Sequence, residues 1–116
     1  METRHTSSLF GVGIDVADLP RIKNAMRDPG FLAHVLTPYE LSTAPDAQRL
    51  AGIWAAKEAV AKAVGTHLRW HDVEILEESS VRFAPGVAPE DLSVQLSISV
   101  SADFALAVAI AERRRS

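Results

Sequence analysis

The chain has 116 residues, 47% hydrophobic and 23% charged, which is the composition of one globular domain with a single core. A formal net charge of −3 gives no basic surplus for nucleic acid, and the absence of cysteine excludes disulfides and thiol catalysis and points to a cytoplasmic home. The polar opening METRHTSS lacks a signal-peptide core and no apolar run reaches membrane-spanning length, so no membrane association is expected.

Leu9–Val16 alternates as a strand does. Phe10, Val12, Ile14 and Val16 point one way and form the expected core face, while Leu9, Gly11, Gly13 and Asp15 share the other. Glycine weakens a strand and often marks a place where another backbone or a ligand comes close. Asp15, at the end of that bare row, reads either as a strand end or as an acid offered to whatever approaches. Asp18–Arg27 reads as a short helix with Asp18 as its candidate N-cap, Pro20 in its first turn and Arg21, Lys23 and Arg27 as its basic residues. Asp28-Pro29-Gly30 breaks it, and a short apolar segment, Phe31–Leu36, follows. Thr37-Pro38-Tyr39-Glu40 is a capping box with proline at the first helical position.

Pro45-Asp46 opens the longest helix pattern, Leu50–Gly65, with apolar residues at Leu50, Ile53, Trp54, Val60, Ala61 and Val64 and glycine at its C-terminal end. Alanine fills most of the remainder, so other elements can approach it closely. Into this smooth surface are set Lys57, Glu58 and Lys62. Glu58 and Lys62 stand one turn apart and, taken alone, read equally well as a solvated ion pair worth a few tenths (~0.3) of a kcal/mol.

Beyond Gly65 the period changes to that of strands. Asp72–Leu76 and Val81–Ala84 are short strands with a turn at Glu77–Ser80, and Leu92–Val100 alternates without a fault. After a turn at Ser101–Asp103, Phe104–Ala111 carries large residues on one side and alanines on the other, so both faces are expected to be covered, by the helix or by another subunit. The whole chain, 1–116, reads as one α+β domain with an antiparallel sheet packed on a long central helix, residues 1–8 flexible and 112–116 a solvated tail. His67 and His71 follow the helix-ending glycine, so a structural or surface role is expected for them rather than metal binding. No nucleophile elbow or Walker-type loop occurs. What remains is a pair of carboxylates, Asp15 and Glu58, with Lys57 and Lys62 near in sequence. Two carboxylates from separate elements suit magnesium, which keeps waters and substrate phosphates as its other ligands.

The order of motifs resembles that of the holo-acyl-carrier-protein synthases. Gly11-Val12-Gly13-Ile14-Asp15-Val16 with Arg21-Ile22 is similar to that family's opening strand and helix, and Trp54-Ala55-Ala56-Lys57-Glu58-Ala59 with Lys62-Ala63 and Gly65-Thr66 to its long helix. Phe31-Leu32 with Thr37 and Glu40-Leu41, Asp72-Val73-Glu74-Ile75, Ser97-Ile98-Ser99 and Ala105–Ala109 match further segments in order. The resemblance implies the 4′-phosphopantetheinyl transferase fold, a homotrimer with sites between subunits, and transfer of the phosphopantetheine arm of coenzyme A to a serine of an acyl carrier protein, releasing 3′,5′-ADP. It further implies Mg²⁺ on Asp15 and Glu58, with Lys62 at the phosphate or assisting deprotonation of the serine. Lys57, Lys62, Gly65 and Thr66 would lie at the cofactor, and Arg21, Lys23 and Arg27 would face the acidic carrier protein.

Departures accompany the resemblance. The family's histidine after the Ser-Ile-Ser strand is Val100, the arginine before the Trp-Ala-Ala-Lys-Glu run is Ile53, the last glycine of its Gly-Thr-Gly is His67, and the Gly-x-Pro turn is replaced by Glu78-Ser79-Ser80-Val81. Removing a buried charged partner from a phosphate site costs about 2–5 kcal/mol. The alternative reading is therefore a scaffold repurposed or inactive for this reaction, with Ile53 and Val100 lining a drier pocket for a pathway intermediate.

Overall fold

The computed structural model describes residues 7–43 and 45–114. In chain order the elements are β1 (Ser7–Asp18), α1 (Leu19–Ala25), α2 (Pro29–Val35), α3 (Pro38–Ser42), α4 (Ala47–Val64), β2 (Val73–Ile75), β3 (Val81–Phe83), β4 (Leu92–Val100) and β5 (Phe104–Arg114). The α+β class and the antiparallel sheet on a central helix are as expected. β1, β5 and β4 form one antiparallel sheet in that order, and β2 and β3 form a separate hairpin. β5 is central although it is last in the chain, because β1 pairs along it from Ser7 opposite Arg114 to Asp18 opposite Phe104.

The helix-end signals of α3 and α4 hold, whereas Asp18 precedes α1 without a side-chain cap hydrogen bond. The Asp46 carboxylate accepts from the Arg49 N–H, and Gly65 closes α4 in the left-handed region at φ 79°. Thr37 and Glu40 complete the capping box of α3. The Glu77–Ser80 turn is a single 3₁₀ turn in which Glu78 and Ser79 themselves take positive φ, 69° and 62°. Both termini differ from expectation. Ser7 and Ser8 pair within β1, so the strand starts before residue 9. β5 likewise runs through Glu112, Arg113 and Arg114 rather than ending in a tail, with Arg113 paired to Asp91 at 3.0 Å. Residues 1–6, 115 and 116 lie outside the described residues.

The expected core face of β1 is reversed. Gly11 and Gly13 face α4 so closely that a Cβ on either would overlap a carbonyl oxygen of the helix, that of Ala63 for Gly11 and of Ala59 for Gly13. Val12, Ile14 and Val16 are each more than half exposed. β5 behaves in the same way: Ala105, Ala107, Ala109 and Ala111 are fully buried, while Phe104, Leu106 and Ile110 face outward. Small residues on both sheet and helix let the backbones approach and multiply dispersion contacts. The larger residues are left on the face that no other layer of this chain covers. Period two in a strand fixes which residues share a face, not which face turns inward. α4 is consequently buried nearly all round, with Leu50, Ile53, Val60 and its alanines in the core.

Candidate active site

The close strand–helix contact sets the site. Gly11 lies against Ala63 and Gly13 against Ala59, so each two-residue step of β1 moves about one turn back along α4, as strand and helix rises require. The next residue on that face is Asp15, one further step along β1. Lys62 closes the arrangement from the helix side. Its Nζ donates to Asp15 Oδ1 at 3.0 Å and to the Ile14 carbonyl at 3.0 Å. Lys62 thus pairs across the fold with Asp15, not along the helix with Glu58, and the simple helix-surface pair is not what forms.

Glu58 is half-buried and lines an open cleft of about 510 Å³ together with Lys62, Gly65, Thr66, His67, Arg69 and Trp70. Five of the expected residues, Lys57, Glu58, Lys62, Gly65 and Thr66, therefore line one cavity, and Asp15 is tied to it through its ion pair with Lys62. Among the described residues no group of three or more His, Asp or Glu side chains is placed to hold a metal. The donor set for a cation is two carboxylates at most. That set fits magnesium, a hard ion that keeps waters and takes phosphate oxygens for its remaining positions. His71 is occupied structurally, its Nε2 lying 2.9 Å from the Ala33 carbonyl oxygen.

Lys57 lines the same cleft, but its ammonium is turned inward. Its Nζ is buried and spends its three N–H groups on the Val35 carbonyl (2.8 Å), Glu40 Oε1 (2.7 Å) and the Trp70 carbonyl (2.8 Å). Burial pulls its pKa below the ordinary lysine value, against the opposing hydrogen bond and charge of Glu40. A phosphate could gain this ammonium only by displacing one of those acceptors. Glu40 is the residue whose importance the sequence understates. Beyond the capping box it accepts from Lys57 and from the Ile75 N–H at 2.7 Å. The signal available was a Thr-x-x-Glu box, which explains one contact and hides the other two. Arg69 was also missed, and the only hint was a cation shortly after Gly65-Thr66.

α1 ends at Ala25, short of the expected Arg27, so Arg21 and Lys23 lie on the helix and Arg27 in the turn after it; Arg21 borders a separate cavity with Asp18, Phe31, Trp54 and Phe104. All three are exposed, and none makes an ion pair among the described residues. Ile53 sits in the core at 1% exposure, and neither it nor Val100 lines the cleft beside Glu58.

Residues 11–109 match the model of the 4′-phosphopantetheinyl transferase superfamily. The chain belongs to the holo-acyl-carrier-protein synthases. A holo-[acyl-carrier-protein] synthase of Geobacillus kaustophilus is 39% identical over 90% of both chains, and one of Shouchella clausii is 43% identical over 90% of this chain and 98% of its own. The crystal structure of a holo-(acyl-carrier-protein) synthase from Bacillus anthracis in complex with CoA (3′,5′-ADP) superposes with a TM-score of 0.74 at 29% identity, covering 90% of this chain and 97% of that one. These synthases are phosphopantetheinyl transferases, and the chain is a transferase of that family. No helix among the described residues is long and apolar enough to cross a membrane.

Proposed function

We propose that the protein transfers the 4′-phosphopantetheine arm of coenzyme A to a serine hydroxyl of an acyl carrier protein, with Mg²⁺ held by Asp15 and Glu58. The observation that supports the reading is the Lys62–Asp15 ion pair at the edge of the open cleft that Lys62 and Glu58 line. The serine oxygen forms a bond to the phosphorus that bears the pantetheine arm, and the bond from that phosphorus to the bridging oxygen breaks, releasing 3′,5′-ADP. When bound, magnesium would neutralise pyrophosphate charge and supply a Lewis acid at the phosphoryl oxygens. Lys62, its side chain more than half exposed, places an ammonium at the cleft edge, where it can meet phosphate charge or take part in moving the serine proton. Gly65 and Thr66 form the start of the loop that would cradle the donor.

Arg21, Lys23 and Arg27 are read as the surface that meets the acidic carrier protein, since exposed cations without an ion pair among the described residues steer an acidic partner. The outward face leaves five large apolar side chains, Val12, Ile14, Val16, Phe104 and Leu106, exposed together, which supports the homotrimer. The working compartment is taken to be the cytoplasm, where coenzyme A and carrier proteins are available.

Incubation with coenzyme A, Mg²⁺ and apo acyl carrier protein should add one phosphopantetheine mass to the carrier, and Asp15→Asn and Glu58→Gln should each slow that addition by about 100-fold or more. No addition across several carrier proteins would leave the repurposed scaffold as the better description.

A further inference from the structure

Lys57 and Glu40 are the only buried charged side chains among the described residues. A lysine that merely neutralised Glu40 would need a single contact, whereas Lys57 also binds two backbone carbonyls, Val35 at the end of α2 and Trp70 beyond α4. The second of these concerns the cleft. Its outer wall is the irregular segment Thr66–Arg69, which leaves α4 at Gly65 and returns at Trp70. Both ends of that strap are tied to α4 itself. Gly65 N–H donates to the Ala61 carbonyl, and the Trp70 carbonyl accepts from Lys57, two turns earlier on the helix. Glu58, Ala61 and Lys62 lie on the stretch between these ties. The Trp70 ring packs on Trp54 at 4.4 Å, and Asp72 accepts from the Arg69 N–H at 2.8 Å, so the returning end is fixed in direction as well as position.

We propose that Lys57 is a positioning residue for the transfer: it sets the shape of the donor cleft by holding the strap through the Trp70 carbonyl, and its ammonium makes no contact with substrate. This rests on the reading of the cleft as the coenzyme A site. The test separates positioning from charge balance. Lys57→Met leaves Glu40 as an unpaired buried carboxylate and should lower Tm. Adding Glu40→Gln removes that charge and should recover part of the Tm, the rest being lost because the amide NH2 faces one of the two backbone N–H groups that the carboxylate accepts from, while the Trp70 carbonyl still lacks its donor.

The double variant should therefore keep an affinity for coenzyme A weakened about tenfold, with KM raised and kcat within about twofold of wild type. The Leu68–Trp70 amides should exchange about tenfold faster. Val60→Ala, a core truncation on the same helix, should lower Tm without changing amide exchange in the strap or affinity. Recovery of affinity and exchange together with Tm in the double variant, or equal effects in Val60→Ala, would overturn the proposal. If wild-type protein binds no coenzyme A, the cleft assignment fails, and the exchange measurement alone still decides whether Lys57 holds the strap.

Discussion

The Lys62 ammonium lies 3.0 Å from the Asp15 carboxylate, joining the last turns of α4 to the strand that crosses them. More than half of the lysine side chain remains in solvent, so the pair is a weak contributor to stability. Its value is placement: it holds a carboxylate and an ammonium at the mouth of the cleft that Glu58 lines.

Lys62→Ala should accordingly change unfolding free energy by less than about 1 kcal/mol. The rate of phosphopantetheine transfer should fall by about 100-fold. Denaturant unfolding and carrier-protein modification, run on the same preparation, check the two halves separately.

Gly13→Ala should be among the most damaging single substitutions in the chain. A Cβ there overlaps the Ala59 carbonyl and approaches Lys62 Cβ to 2.8 Å. Backbone cannot give way as a flexible side chain can, so β1 must lift from α4, at a cost of about 3 kcal/mol or more. Thermal unfolding should show a large drop in Tm, and transfer should be lost with it because Asp15 moves with the strand.

Acid stability should depend on Glu74. Burial acts to raise its pKa, but the Thr37 hydroxyl at 2.5 Å and the Arg82 guanidinium outweigh it and hold the carboxyl below its ordinary value of 4.5. The folded state therefore binds this proton less readily than the unfolded chain, so the contribution is present above pH 4.5 and is lost as pH falls through the folded value. Glu74→Gln should flatten the decline of Tm below that pH and leave its slope near neutrality unchanged.

Leu106→Asp should separate subunits. Leu106 faces outward on the central strand, opposite Val16 and Ser99 of its neighbours, in the middle of the uncovered apolar face. A carboxylate in a dry interface is costly, yet in the single chain it stays in water. Sedimentation velocity should show a trimer for the wild type and a monomer of unchanged circular dichroism for the variant.

Much of the fold was legible in the residues themselves. The Thr37 and Asp46 caps, Gly65 and the period change after it locate the helices because each is a local contact, complete within a few residues. The sequence also set Asp15 and Glu58 apart, since a carboxylate following a bare glycine row and one on an alanine helix break their local patterns. Three things were decided only by the tertiary structure. The inward face of β1 depends on what packs against it, and an alanine-rich helix selected the glycines over the valines. The partner of Lys62 is Asp15, far away in the chain, because the strand crossing brings a better-placed carboxylate than Glu58. Lys57, beside Glu58 in sequence, turns instead into the core, because successive helix residues point about 100° apart and Glu40 with two carbonyls waits on its side.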